Sequence, residues 1–466
     1  MLEYQESIDH LLSLIDFERQ LPRIPRQKHI FDLRRMQGFL ELLGNPHYSP
    51  VTIHIAGTKG KGSTAAYCDS VLTSAGFRTG FYSSPHLHSF CERIRIDSEP
   101  IKPHKFASLV EQLWPYQQKI ASKTSLGSIS LFEFMTAMAF TCFVQRKVEF
   151  QTIEVGLGGR LDATNVVDPQ AVIITPVSLD HTEILGNTLG EIASEKSGII
   201  KSGVPVIIAP QEPKALAVIL SKCKDLNCLP VLLHRDITWT VEKRAPDHQS
   251  AIIHGRLGNY PVKIPLIGSH QLENAACAIA ALEIMIEKGY SITADAISEG
   301  IGNVFWPCRM EVLNQLPLTV VDGAHNPASM TLLLKSLPEY LDFDQISLIV
   351  GFSRDKQVSE MVNILSQLEP RVYATSSRHP RSVPESTLCD LFRRQGLKNV
   401  NGFNDVKSAG AMAFKEAKST DLILATGSLF VAAELRESVL GITPEIYPDL
   451  LAKNSGRDLG QVPYGG

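Results

Sequence analysis

The sequence predicts an α/β protein in two parts. A largely parallel sheet covered by helices on both faces is followed by a second, smaller doubly wound sheet. Three observations carry this expectation. Short β-branched runs alternate with helical patterns in both halves of the 466 residues, the pattern of parallel sheets with crossover helices. The first strong strand runs directly into a glycine-rich turn and a helix. A Pro-containing, turn-like stretch at 303–312 (NVFWPCRMEV) separates two such alternations.

The elements follow in order. Ile30, Leu33, Met36, Phe39, Leu40 and Leu43 share one helical face, and Gly44 and Pro46 end that helix. VTIHIA (51–56) reads as a strand, GTKGKGS (57–63) as the turn, and a helix follows to about Ala75 with Gly76 as its C-terminal cap. Further strands are expected at 76–84, 148–155, 171–177 and 204–210. Residues 230–266 hold short β-rich pieces that suggest a small antiparallel section, and 270–288 is a strong helix. After the boundary, strands are expected at 318–322, 346–351, 371–375 and 421–426. The predicted division is 1–303, a linker at 304–312, a second domain at 313–453, and a polar, Gly-rich, loosely ordered tail at 454–466.

Composition excludes several classes. There are 45 basic and 49 acidic residues, a formal net charge of -4, so there is no basic excess to draw a nucleic acid. The apolar run at 131–144 contains Glu133 and is too short to span a bilayer, and the first residues carry acids where a signal peptide would be basic and apolar. Cys68, Cys91, Cys142, Cys223, Cys228, Cys277, Cys308 and Cys389 are scattered and form no zinc pattern. They read as buried reduced thiols of a cytoplasmic protein with no membrane and no nucleic-acid partner.

The turn after the first strand is the strongest functional signal. Gly57, Gly60 and Gly62 let backbone N–H groups face inward, and the following helix adds positive partial charge at its N-terminus. Lys61 reaches terminal phosphates, and the Ser63 hydroxyl faces a metal or a phosphate. The match to the strict P-loop pattern is imperfect, because Gly62 intervenes between Lys61 and Ser63.

Three further segments fall at predicted strand ends, where open α/β sheets bind ligands: SSPH (83–86), EVGLGG (154–159) and SLDHTE (178–183). A carboxylate, a hydroxyl and an imidazole beside a nucleotide would suit Mg²⁺. Taken alone, Glu154 also reads as a solvated strand end and His181 as a turn residue. Thr188 and Glu191 have capping-box spacing and start a helix that carries Lys196. By itself Lys196 reads as a solvated helical lysine. Ser130 and Glu133 have the same capping spacing, so Glu133 reads as structural.

Together the motifs resemble the folylpolyglutamate synthase/dihydrofolate synthase group of the Mur ligase superfamily. They are HIAGTKGKGS (54–63), SSPHL (83–87), ERI (92–94), EVGLGGRLDATN (154–165), LDHTEILGNTLGEIASEKSGI (179–199), SHQLENAACAIAA (269–281), WPCRMEV (306–312) and DGAHNP (322–327). The resemblance spans about residues 30 to 435. It implies a P-loop NTPase-like domain followed by a smaller Rossmann-like domain, with the site in the cleft between them. It also implies that Gly57, Thr58, Gly60, Lys61, Gly62 and Ser63 hold ATP, joined by Asn274 and Arg309. Ser84, Glu154 and His181 would be the magnesium ligands or their close partners. Lys196 occupies the position that is carbamylated in the family. Asp322 and His325 would handle the amino acid, and Ser428 is similar to another residue of that site. One departure is Cys308, where the family usually has glycine; a positive φ there would strain the linker beside Arg309.

The activity implied is a magnesium-dependent ligase. A folate or dihydropteroate carboxylate takes the γ-phosphoryl group of ATP, and the amine of L-glutamate attacks the acyl phosphate. His325 or Asp322 would orient or deprotonate that amine. The family is usually monomeric. Two rivals remain: a Mur-type ligase acting on a peptidoglycan precursor, and a nucleotide-gated switch without synthetic chemistry.

Overall fold

The structure, a computed structural model, describes residues 2–16, 32–123 and 127–447. Ile30 and the tail at 454–466 lie outside the described residues. The chain divides into two compact units: the residues before Leu87 with Phe90–Pro307, and Leu87–Ser89 with the chain from Cys308 onward.

In the first unit the strands are β1 (Val51–Ala56), β2 (Thr79–Tyr82), β3 (Ile94–Ile96), β4 (Glu99–Pro100), β5 (Phe150–Glu154), β6 (Ala171–Ile174), β7 (Val206–Ile208) and β8 (Pro230–Leu232). They form one sheet in the order β4-β3-β2-β5-β1-β6-β7-β8. All pairings from β2 to β8 are parallel, whereas β3 and β4 add an antiparallel edge. The central strands are β-branched and buried on both faces, which a doubly covered parallel sheet requires. β1 lies between β5 and β6, with Ile55 opposite Glu154 and Ile173. The carboxyl ends of β1, β2, β5 and β6 therefore open along the same sheet edge.

Residues 230–266 divide between two sheets. β8 extends the large sheet, while β9 (Thr238–Arg244), β10 (Gln249–His254) and β11 (Asn259–Ile264) form a separate antiparallel meander. Burial alternates along β10 and β11, so one face packs inward. Ala251, Ile253, Val262 and Ile264 share a core with the helix Ser269–Glu287. That helix is buried nearly all round. Its alanines, Ala275, Ala276, Ala278, Ala280 and Ala281, are fully buried in the same core.

The capping boxes at Ser130/Glu133 and Thr188/Glu191 are both formed. Glu133 does more than cap. Both of its oxygens accept from Arg35 Nε, at 2.9 and 3.0 Å, and both side chains are under 10% exposed. This pair ties the helix Leu33–Leu42 to the helix Leu131–Gln145. Glu133→Ala takes this carboxylate away from a buried guanidinium, a change that costs about 3–5 kcal/mol. The expected result in thermal unfolding is a melting temperature lower by several degrees.

The second unit contains β12 (Glu311–Gln315), β13 (Leu318–Val321), β14 (Ile346–Val350), β15 (Arg371–Thr375), β16 (Val400–Phe403) and β17 (Leu422–Thr426), in the order β12-β13-β17-β14-β15-β16. Only β12 is antiparallel. The chain steps outward from β13 through β14, β15 and β16, then returns with β17 between β13 and β14. Ligands of open α/β sheets bind at such reversals. Asp322 follows β13 directly, and Ser428 lies two residues beyond β17.

All eight cysteines are buried, and none is in a disulfide. Among the described residues, no helix is long and apolar enough to cross a membrane.

Candidate active site

The glycine turn forms as the sequence predicts, between β1 and the helix Lys61–Ser74. Neighbours hold it from two sides. Thr58 and Lys59 donate their backbone N–H to the Pro176 carbonyl at 3.0 and 3.3 Å, and the Thr58 hydroxyl donates to the Ser178 carbonyl at 3.1 Å. Gly57 and Gly60 both have positive φ, 153° and 79°. A β-carbon on Gly57 would collide with the Thr175 hydroxyl, and one on Gly60 with the Asn274 amide oxygen. The loop after β6 and the helix Ser269–Glu287 thus fix the shape of the turn, which explains why glycine is required at both positions. Asn274 packs against this loop and donates to Gln271 Oε1 at 3.0 Å.

Lys61 and Glu154 approach each other on this edge, with Nζ and Oε1 3.9 Å apart and side chains 17% and 7% exposed. The solvated reading of Glu154 fails, because β5 carries it into the sheet edge between buried neighbours. The solvated reading of Lys196 fails too. Its residue is only 5% exposed, and Nζ donates to the Gly57 carbonyl at 2.8 Å. Burial, reinforced by the positive charge of Lys61, pushes its amine down to about 7. Lys59 is likewise lowered to about 8 by burial, with Asp180 opposing.

His181 is placed differently. It is a positive-φ residue (49°) before a one-turn helix, with its side chain about a third exposed and Nε2 3.8 Å from Asp180. Ser84 lies two residues beyond β2, and Ser63 is buried in the first turn of the helix after the glycine turn. Among the described residues, no three of His, Cys, Asp and Glu gather as a metal cage. One strand-end carboxylate, flanked by hydroxyl and imidazole segments, suits Mg²⁺, which takes one or two carboxylates and fills its octahedron with water and phosphate oxygens.

In the second unit, Asp322 is buried and both of its oxygens are taken: Oδ2 accepts from Met310 N at 2.9 Å and Oδ1 from Ala324 N at 2.8 Å. Burial raises its carboxyl above the ordinary range, with the Arg309 charge opposing. His325 Nδ1 lies 2.8 Å from the Gly323 carbonyl. A carbonyl only accepts, so Nδ1 carries the proton and Nε2 is the basic nitrogen. The Ser428 hydroxyl caps the helix Leu429–Leu440 by accepting from Val431 N at 3.1 Å. Cys308 has φ 59° and is fully buried, so the non-glycine residue does sit in the left-handed region. The conformation is held from both sides. Its N–H donates to Glu311 at 2.9 Å, and its carbonyl accepts from Gly323 N at 3.0 Å and Arg309 Nη1 at 2.9 Å.

Comparisons with known proteins identify the family and the fold. Residues 55–282 match the Mur ligase middle domain, and residues 308–429 match the Mur ligase glutamate ligase domain. A dihydrofolate synthase/folylpolyglutamate synthase of Bacillus subtilis is 33% identical over 408 residues, covering 87% of this chain and 94% of that protein. The chain belongs to the folylpolyglutamate synthase/dihydrofolate synthase family of Mur ligases. A probable bifunctional folylpolyglutamate synthase/dihydropteroate synthase of Halobacterium salinarum is 34% identical over 93% of this chain, which spans 51% of that longer protein. Among solved structures, Mycobacterium tuberculosis folylpolyglutamate synthase complexed with ADP superposes with a TM-score of 0.86 at 30% identity. That match covers 95% of this chain and all of the other. The large parallel sheet and the smaller second sheet are therefore those of a ligase of this family.

Proposed function

We propose that this chain joins L-glutamate to a reduced folate, and to dihydropteroate as a second acceptor, by making an acyl phosphate from ATP. The observation that carries the reading is the gathering of Lys61, Glu154 and Lys196 at one glycine-lined loop. The Bacillus relative of both named activities, covered almost end to end, supports the choice of substrates. In this reading Gly57, Thr58, Gly60, Lys61, Gly62 and Ser63 hold the phosphates, and Asn274 keeps the loop in shape. Arg309 serves as a second contact to the nucleotide.

Glu154, with Ser84 and His181, would hold Mg²⁺, which supplies charge neutralisation at the phosphoryl oxygens. Lys61 adds a fixed positive charge at the same place. CO₂ addition requires a neutral amine, and burial lowers the Lys196 amine to about 7, so a neutral fraction is present at neutral pH. A carbamate there would be an oxygen donor in place of a cation. Asp322 serves by position, since its two oxygens already hold Met310 and Ala324. That leaves His325, through Nε2, to accept the proton of the attacking amine, while Ser428 caps its helix beside the amino-acid site. The protein would act in the cytoplasm, as a monomer.

Peptidoglycan acceptors and a pure switch fit less well, because the relatives matched end to end are named for folate ligation. The test is an acceptor panel. With ATP, Mg²⁺ and L-glutamate, ADP and a new amide should appear with tetrahydrofolate and with dihydropteroate. Product only with a muramyl peptide precursor, or nucleotide binding without any amide, would overturn the proposal.

A further inference from the structure

The phosphate loop has a neighbour that its motif does not include. Trp306, just ahead of the second unit in the chain, packs over the first turn of the helix Lys61–Ser74. A β-carbon on Gly62 would lie 2.8 Å from its six-membered ring and 3.1 Å from its Nε1. The ring is held on its other sides by Phe81, at 5.3 Å between centroids, and by the Arg95 guanidinium, 5.4 Å above it. It cannot turn away without giving up both contacts.

Its polar atom is unaccounted for. Trp306 Nε1 is buried, and no acceptor lies within hydrogen-bonding distance among the described residues. Indole N–H is a donor only, and a buried donor without an acceptor carries a desolvation cost. Tryptophan buried in this way usually finds a partner. A second such donor is joined to the loop through Asn274. Gln271 is fully buried, its Nε2 has no acceptor among the described residues, and its Oε1 accepts from Asn274, which packs on Gly60. Two buried donors without acceptors, one packed on Gly62 and the other joined to Gly60 through Asn274, call for a ligand rich in acceptors.

We propose that Trp306 is a further nucleotide-binding residue, its indole N–H donating to an oxygen of the phosphate chain held by the loop. The inference rests on the nucleotide-binding reading above. It also gives Gly62 a physical reason: any side chain there would displace the indole.

The test uses the full chain and two readouts. Affinity for ADP, measured by calorimetry, is compared between the wild type and Trp306→Phe, which keeps an aromatic ring against Phe81 and Arg95 but removes the N–H. Loss of one hydrogen bond to a charged acceptor is expected to weaken binding about tenfold or more. Independently, the ¹⁵N-indole resonances of the wild type are followed as ADP or adenosine is added. The sequence has three tryptophans, and Trp114→Phe and Trp239→Phe assign the third signal even if Trp306→Phe does not fold. The Trp306 signal should move downfield with ADP and stay in place with adenosine. If ADP binds but leaves both the affinity of the variant and the Trp306 signal unchanged, the inference is wrong and the nucleotide reading stands. A shift with adenosine as large as with ADP refutes donation to phosphate. If the wild type binds no ADP, the nucleotide reading fails and the inference with it.

Discussion

Lys61→Ala is expected to reduce ATP cleavage in the presence of folate and glutamate by about a thousandfold, with the fold intact. The ammonium lies 3.9 Å from Glu154 on the edge where the phosphate loop opens. A preorganised charge in such a site stabilises what develops in the transition state, and removing one comparable donor costs roughly 10²–10³ in kcat. A phosphoryl group in flight carries more charge than a single oxyanion, which places the expectation at the upper end of that range. The loss should fall on kcat more than on the KM for ATP, since the backbone N–H groups of the loop remain. Steady-state kinetics with a coupled ADP assay, alongside circular dichroism, would check this. ADP formation at wild-type rate in the variant would mean that Lys61 does not face the transferred phosphate.

Lys196 should be nearly as sensitive, and its replacements separate two roles. Were it a simple cation, arginine would substitute in part. A residue that must be neutral before it takes up CO₂ cannot be replaced by arginine, which stays charged. Lys196→Arg and Lys196→Ala are therefore both expected to lose about 10²-fold or more in kcat, on the scale of removing one preorganised charge. Wild-type activity should fall in CO₂-depleted buffer below pH 7 and recover with bicarbonate. An active Lys196→Arg enzyme would contradict this. Stability offers a second check in CO₂-free buffer. The folded amine is held near 7, below its ordinary 10.5, so between those values the unfolded chain binds more protons. Stability should rise with pH across that window. Urea midpoints of the wild type should gain between pH 7 and pH 9 relative to Lys196→Met.

Much of this was legible in the sequence. β1 and β15 have the bounds expected of them, and the glycine turn and both capping boxes are where their spacing placed them. These signals are local. β16 (VNGF) was not expected, because its Asn-Gly pair signals a turn and only pairing with β15 makes it a strand. The antiparallel strands β3, β4 and β12 were missed for a related reason: β3 and β4 are only three and two residues long, and β4 and β12 are each held by one neighbour. The helices Tyr4–Leu12 and Pro103–Lys123 also went unread. At the site, residue physics alone placed Lys196 in solvent, and only the family resemblance argued otherwise. Its burial comes from packing against Gly57, which is 139 positions away in sequence. Trp306 was read only as part of the linker motif, because nothing in WPCRMEV tells that its ring packs over the first helical turn of the phosphate loop. The concern about Cys308 was well placed. The backbone does take a positive φ there, and three hydrogen bonds hold it.

The chemistry of the whole account is that an acid becomes reactive by accepting a phosphoryl group. It is tested most directly by isotope. With tetrahydrofolate labelled with ¹⁸O in its side-chain carboxylates, each ligation through an acyl phosphate must carry one labelled oxygen into inorganic phosphate. Mass spectrometry of the released phosphate should show one ¹⁸O per amide formed. Amide formation with unlabelled phosphate would contradict the account.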